Sequence, residues 1–331
     1  MFDEQSLNWR SVAARVGVHR TLLIQPSVML AQLLLTRGEQ RAAESACRDL
    51  LQQNPNHIEC LNWLASVLET ECRFDEAERL RRRAFEAQAR ACGFATEGTD
   101  EITAFRLAAC GYGKEPGQAP AAYVSSFFDS YAGSYDRHVR GCLDCHAPEL
   151  VCAALTRALG GVRPGLHILD AGCGTGLAAP LLRPLALRLE GIDLSSGMLD
   201  RARATGLYDS LERADFAERL KARRGYYDII CAIDVLVYFG FMTPVMAAAA
   251  FALRQDGLFA FSVEAGGNMD YELRGTGRYV HSGGYLRKAA EAAGLVEVSV
   301  ESATLRLENQ QPVQGMICVL RNGAGQGACA E

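Results

Sequence analysis

The feature that most constrains the fold of this chain is residues 166–177, Leu-His-Ile-Leu-Asp-Ala-Gly-Cys-Gly-Thr-Gly-Leu. An apolar run of strand length leads directly into three glycines spaced two apart, and then into a helical pattern. That order is the one by which a parallel α/β sheet holds a nucleoside ligand at the carboxyl ends of its strands. Gly172, Gly174 and Gly176 remove side chains where the backbone must turn sharply and lie against a ligand. The spacing narrows the ligand further. A dinucleotide fingerprint G-x-G-x-x-G needs its third glycine at position 177, where Leu177 stands, and the glycine falls at 176 instead. The turn is therefore expected to be a cofactor cradle made of Asp170, Gly172, Cys173, Gly174, Thr175 and Gly176, for a nucleoside ligand other than NAD.

A second element follows at the distance such a cradle needs: Gly191-Ile192-Asp193-Leu194-Ser195-Ser196-Gly197-Met198-Leu199. A carboxylate ending the second strand can accept hydrogens from both ribose hydroxyls, which gives Asp193 a binding role beside Leu194. Alone, Asp193 reads as an ordinary strand-end residue; in register with the glycine turn the ligand role prevails. Ser195 or Ser196 is placed to cap the next helix, and Met198 to lie against the adenine face. Further on, Asp215 is expected to accept from the adenine amino group, with Phe216 beside the ring. Asp234 ends the fourth apolar run and is expected on the reactive side of the ligand.

The pattern around these motifs predicts strands at 166–170, 188–193, 211–215, 227–234, 258–263, 296–301 and 316–320, with amphipathic helices between them. Seven strands alternating with helices fit one doubly wound sheet. Before residue 93 the chain has a different character. A shift of 34 residues superimposes Leu30 on Leu64, Ala31 on Ala65, Leu34 on Leu68 and Ala43 on Ala77, with breakers at Asn54-Pro55 and another small residue at Ala84. This is the period of tetratricopeptide (TPR) helical hairpins. An ordinary helical bundle is the alternative, because Ser27 and Leu61 stand where tryptophan is usual and Arg81 stands at an aromatic position. Two such repeats need a neighbour to cover their apolar faces. The expected division is a TPR-like unit over 1–92, a glycine- and proline-rich linker over 93–122 around a short helix near 101–109, and an α/β domain over 123–331.

Composition bounds the function without choosing it. At 331 residues the chain has room for two units, and 49% hydrophobic with 22% charged residues is ordinary soluble usage. A formal net charge of -5 disfavours non-specific nucleic-acid binding, which needs a concentrated basic surface. Arg79, Arg81, Arg82 and Arg83 are interspersed with Glu76, Glu78 and Glu86, as on a solvated helix face. No run approaches the length of a membrane span and the first residues do not read as an export signal, so a cytoplasmic protein is expected. The 12 cysteines are scattered as small core residues. Cys142-Leu143-Asp144-Cys145-His146 matches a haem-attachment spacing, but export is not indicated and a second ligand pair is missing, so no metal or haem is assigned.

Taken together, the D-x-G-x-G-x-G string and the Asp193 element resemble the first two motifs of class I S-adenosylmethionine (SAM) dependent methyltransferases. The whole chain resembles bacterial methyltransferases that carry TPR repeats. The likeness extends to Tyr123-Val124, to residues 127–136 (Phe-Phe-Asp-Ser-Tyr-Ala-Gly-Ser-Tyr-Asp) and to Arg278-Tyr279-Val280-His281-Ser282. It implies a Rossmann-like seven-stranded domain preceded by an all-α segment, with SAM as cofactor. It also implies a lid in which the aromatic helix holding Tyr131 and Tyr135 closes over SAM; a purely connecting role for these aromatics is equally compatible. The acceptor is expected to be a small molecule or a carrier-bound metabolite methylated at O, N or C. An Asn-Pro-Pro-Tyr string, typical of amide and adenine N-methyltransferases, is absent after the fourth strand. His281 is the candidate general base, with Asp234 beside it as the other catalytic residue, although a structural histidine fits as well. For a carboxylate acceptor no base is needed, and His281 or Arg278 would bind charge instead. A protein substrate or partner recruited through the repeats, and a non-catalytic SAM-binding fold, are the alternative readings; neither nucleic acid nor membrane is expected as a partner.

Overall fold

The structure is a computed structural model that describes residue 34 and residues 39–71, 73–91, 100–308 and 311–323. By its internal contacts the chain divides into two units, Met1–Gly113 and Lys114–Glu331. No helix among the described residues is long and apolar enough to cross a membrane.

The first unit is helical: α1 (Gln40–Gln53), α2 (Ile58–Thr70), α3 (Phe74–Ala91) and α4 (Glu101–Ala109). Its core is built from leucines and alanines, among them Leu34, Ala43, Leu64, Ala65, Leu68, Ala77 and Ala84. The alanines allow close approach of antiparallel helices. Leu34 and Ala43 are thus buried alike with their 34-residue counterparts, Leu68 and Ala77, whereas Leu30 and Ala31 lie outside the described residues. Glu44 and Glu76 share the guanidinium groups of Arg48 and Arg73 at 2.5–2.9 Å, tying α1 to the start of α3. α4 starts as expected, its Asp100 carboxylate accepting from Thr103 N at 3.0 Å.

The second unit opens with α5 (Ala121–Tyr131), α6 (Tyr135–Gly141) and α7 (Ala147–Ala158) before the sheet begins. The glycine-rich stretch preceding α5 is pinned rather than loose. Glu115 Oε1 accepts from Leu273 N at 2.8 Å, Pro116 O from the Tyr279 hydroxyl, and Gly117 O from Gly240 N and Phe241 N. The central strands β1 (Leu166–Ala171), β2 (Ala186–Asp193), β3 (Ser210–Arg213), β4 (Tyr227–Ala232) and β5 (Leu253–Ala265) are parallel, in the order β3-β2-β1-β4-β5. Between them run α8 (Ala179–Leu182), α9 (Ser196–Ala204), α10 (Phe216–Lys221) and α11 (Thr243–Ala252).

Alternate residues of the central strands β1, β4 and β5 are buried on opposite faces. Ile168, Ile229 and Ala260 pack with Val151 and Leu155 of α7, whereas Leu169, Ile230 and Phe259 pack with Met246 and Ala249 of α11. Near-continuous apolar strands follow from this two-sided burial. The strand order reverses between β1 and β4, and a ligand crevice belongs at that reversal.

Nine strands are present among the described residues where seven were expected. The additions are β6 (Tyr271–Leu273) and β7 (Tyr279–His281), an antiparallel pair whose β7 runs parallel to the end of β5 at Glu264 and Ala265. Strands of three residues carry no readable alternation, which is why sequence pattern passes over them. The sheet is mixed: after α12 (Gly283–Ala292), β8 (Leu295–Glu308) and β9 (Gln311–Asn322) form a long hairpin, and β9 pairs antiparallel with β5. The hairpin crosses β5 closely at Gly315, where a Cβ would fall 2.3 Å from Leu305 Cδ1 and 2.5 Å from the Val263 carbonyl. A Gly315→Val substitution is accordingly expected to cost about 1–3 kcal/mol by overpacking. Urea unfolding checks it: the midpoint falls while the slope stays constant.

Candidate functional site

The glycine turn leaves β1 at the sheet's reversal point. Gly172, Gly174 and Gly176 all have positive φ, at 75°, 55° and 90°. At Gly172 a Cβ would meet Val235 Cγ2 at 2.2 Å, so the turn lies hard against the loop after β4. At Gly174 a Cβ would meet nothing within 4 Å, and the turn there borders open space of the kind a ligand needs. Asp193 closes the cradle from the end of β2. Its Oδ2 accepts from Gly174 N at 2.9 Å and its Oδ1 from Ser195 N at 2.8 Å. Each carboxylate oxygen keeps a lone pair for a ribose hydroxyl. Burial raises the Asp193 carboxyl above the usual carboxylate range, and the backbone N–H bonds oppose that shift.

Around this pair the expected residues divide. Asp170 is buried at the end of β1 and accepts from the Tyr208 hydroxyl at 2.7 Å. Burial pushes its carboxyl up to about 6. Ser195 is the cap of α9, accepting from Met198 N at 3.1 Å, and Met198 is buried in the first turn. The Leu194 carbonyl accepts from Arg213 Nε at 2.9 Å. Thr175 is buried, and its hydroxyl donates to Asp136 at 2.5 Å. The Cys173 side chain turns the other way, into a small core with Leu199 and Ala202, so that only its backbone belongs to the turn.

Two of the residues expected at adenine have packing roles as well. Asp215 is the cap of α10, its Oδ1 accepting from Ala217 N and Glu218 N at 2.8 and 3.2 Å. Phe216 is buried against Phe239 and Phe259, with ring centroids 5.9 and 6.4 Å away. The third strand ends at Arg213, earlier than expected, and the chain turns into helix at the two residues assigned to adenine.

α5 and α6 cross the cradle and are fastened to both of its motifs. Asp129 accepts from Ser195 Oγ at 2.6 Å and from Gly197 N at 3.0 Å, while Asp136 takes the Thr175 hydroxyl. Arg201 donates to Gly133 O and Arg213 to Ser125 Oγ. Tyr131 lies at the end of α5, its hydroxyl hydrogen-bonded to Nδ1 of the buried His138. Phe128, Tyr135 and Tyr238 stack edge-on beside it. The sequence analysis left Asp129, Asp136 and His138 without roles. Two aspartates seven residues apart in an aromatic helical segment were the available signal for the latches.

Asp234 follows β4 with φ 58° and sits beside the cradle turn's neighbour Val235. Ser262 Oγ accepts from its backbone N at 2.9 Å. Its carboxylate is bonded to Arg278, which also donates to Glu264 at 2.5 Å; Arg306 of β8 completes this buried cluster. Arg306 also escaped notice in sequence, since only the register of β8, β9 and β5 brings it here. His281, expected as a base, is fully buried in β7 with Nε2 2.7 Å from the Phe239 carbonyl. Burial pushes its imidazole down to about 4. A neutral ring enclosed in this way has no path to an acceptor, and its place is structural. Cys145 packs near the ion cluster as a free thiol, Cys142 is exposed, and no metal-binding group of three ligands occurs among the described residues.

Residues 143–300 match a family model described as a methyltransferase domain. The chain is 41% identical over 112 residues to human methyltransferase-like protein 27, a match covering 33% of this chain and 45% of that protein. It is 29% identical over 153 residues to a malonyl-[acyl-carrier protein] O-methyltransferase of Serratia marcescens, covering 44% and 54%. A ubiquinone biosynthesis O-methyltransferase of Nitrosococcus oceani is 34% identical over 103 residues, covering 30% and 43%. The chain spans about half the length of the curated relatives it matches. Among solved structures, the [4+2]-cyclase SpnF superimposes with a TM-score of 0.52 at 17% identity, covering 63% of this chain and 99% of that one, a likeness of fold alone. Residues 143–300 are thus similar to a methyltransferase domain.

Proposed function

We propose that this protein is a SAM-dependent methyltransferase whose acceptor is a small molecule or a carrier-bound metabolite, methylated at oxygen. The observation that carries the reading is the open space over Gly174, bounded by the Asp193 carboxylate and roofed by a lid that Asp129 and Asp136 fasten to both motifs. Oxygen is supported by two of the relatives, which are named O-methyltransferases. The likeness in fold to a cyclase shows that the fold does not fix the chemistry, whereas the intact glycines and Asp193 favour methyl transfer.

SAM supplies a methyl group already activated on a sulfonium. What the chain adds is alignment and dryness. Gly174 lets the backbone approach the ligand, Asp193 binds the ribose, and the aromatic lid excludes water. Positioning alone can supply effective molarities of roughly 10⁵ M or more. We further read α1–α3 as part of a TPR-type pair, supported by the matched burial of Leu34 with Leu68 and Ala43 with Ala77, and as a surface able to recruit a protein partner.

Calorimetric titration with SAM tests the main reading. Wild-type protein binds. Gly174→Asp fills the ligand space without a clash, since aspartate tolerates positive φ, and lowers affinity at least about 100-fold while the protein stays folded. Asp193→Ala weakens binding at least about tenfold. Absence of SAM binding by the wild type defeats the proposal; binding that survives both substitutions defeats the site.

The buried Asp170 gives the ligand-free protein a pH signature. Its carboxyl is held at about 6 against an ordinary value of 3.8, so in that window the native state binds more protons than the unfolded chain. Stability therefore declines as pH rises through the window and levels off above it. At pH 7 the cost is on the order of 3 kcal/mol. Urea unfolding of wild type and Asp170→Asn should show the variant gaining relative stability from about pH 4 to about pH 6; a gap independent of pH would contradict the role given to burial.

A further inference from the structure

The ion cluster at the carboxyl ends of β4 and β5 leaves one strong donor unused. Arg278 donates through Nε to Glu264 and through Nη2 to Asp234. Arg306 donates through Nη2 to the same Glu264 oxygen at 2.6 Å, and through Nε and Nη2 to Glu308. Arg306 Nη1 has no hydrogen-bond partner among the described residues although it is buried, and the nearest ion-pair oxygen, Asp234 Oδ1, is 3.6 Å away. Folded proteins seldom leave a buried guanidinium N–H unmatched, because nothing offsets its lost hydration. Asp234 and Glu264 balance Arg278 and Arg306 in charge, and Glu308 lies at the rim with its side chain 31% exposed. The wall beside them is aromatic: Tyr238 lies 5.7 Å from the Arg278 guanidinium carbon, with Phe128 edge-on to Tyr238.

The same region is poor in bases. The Oδ1 atom of Asp234 is engaged by Arg278, and His281 is enclosed on a carbonyl. Burial raises the Tyr135 and Tyr238 phenols, which stay protonated as donors. His138, on the lid, is bonded to Tyr131.

Resting on the methyl-transfer reading above, we propose that Arg306, with Arg278 beside it, seats the carboxylate of an aromatic or otherwise apolar acid, and that this carboxylate is the methyl acceptor. One carboxylate oxygen accepts from Arg306 Nη1 and the other attacks the methyl carbon. The O–C bond forms as the S–C bond breaks, the electron pair of that bond stays on sulfur, and the anion and sulfonium become a neutral ester and S-adenosylhomocysteine. No proton moves, so no base is required. Arg278 and Arg306 already face Asp234, Glu264 and the rim residue Glu308, so the charge of the incoming carboxylate is balanced by the sulfonium.

Benzoate and benzamide, which share ring and shape but differ in charge, are the probes, titrated into full-length protein loaded with S-adenosylhomocysteine. Benzoate is expected to bind at least tenfold more tightly than benzamide. Arg306→Lys retains the charge facing Glu264 but not the planar fork. It should weaken benzoate at least tenfold while the S-adenosylhomocysteine Kd changes less than twofold. Equal binding of the two probes, or benzoate affinity unchanged in Arg306→Lys, overturns the proposal. So does a preference for phenol that disappears in His138→Gln, which would assign a protonated acceptor and a lid base. If Arg306→Lys does not fold, the wild-type comparison still decides. Failure of the wild type to bind S-adenosylhomocysteine would instead remove the methyl-transfer reading itself.

Discussion

The cradle depends on one carboxylate. Asp193 accepts a backbone N–H from the glycine turn on one oxygen and from the start of α9 on the other. The turn after β1 and the turn after β2 are thereby held in one geometry, with a single buried anion between them. Glycine at 172, 174 and 176 gives a backbone with little conformational preference of its own, and the hydrogen bond from Gly174 supplies the preference. α5 and α6 inherit this order, because Asp129 binds the cap residue Ser195 and Asp136 binds Thr175 within the turn. The roof is therefore fastened to the floor through residues that Asp193 has already positioned.

Behind the cradle, charge is buried by pairing. Glu264, Arg278, Arg306 and Asp234 come from β5, the start of β7, β8 and the end of β4, and each carboxylate faces at least one guanidinium. Clusters of this kind contribute little net stability, because desolvation offsets much of the attraction, yet removing one member leaves a charge uncompensated. What the cluster does provide is placement: it fixes Asp234 in a left-handed conformation at the mouth of the site and holds two guanidinium groups beneath an aromatic wall.

The parts of the site that were legible in sequence are local. Residues 166–177 announce strand, turn and helix within a dozen positions, and the Asp193 element repeats that logic, so the motifs and the parallel sheet could be read directly. The short helix near 101–109 and the cap at Ser195 were equally visible. What could not be read from sequence was decided by tertiary context. Asp215 and Phe216 follow a strand as Asp193 and Leu194 do, but α10 begins at once, making one a cap and the other core. His281 reads as a reactive imidazole until the pairing of β7 with β5 encloses it. Arg306 is the one cation of β8, beside Glu297, Glu301 and Glu308, and its position near Asp234 depends on the register of β8, β9 and β5.

That register has a further consequence for how the protein comes to exist. Leu307 N donates to the Leu143 carbonyl, and His146 N to the Leu305 carbonyl, so the last hairpin of the chain completes the wall begun by the segment before the sheet. Long-range closures of this kind are reached late in folding, since the loop entropy must be met before the contacts form. During synthesis the cradle strands leave the ribosome well before residue 306. The parallel strands around the glycine turn can thus assemble while the hairpin that joins them to the segment before the sheet is still missing.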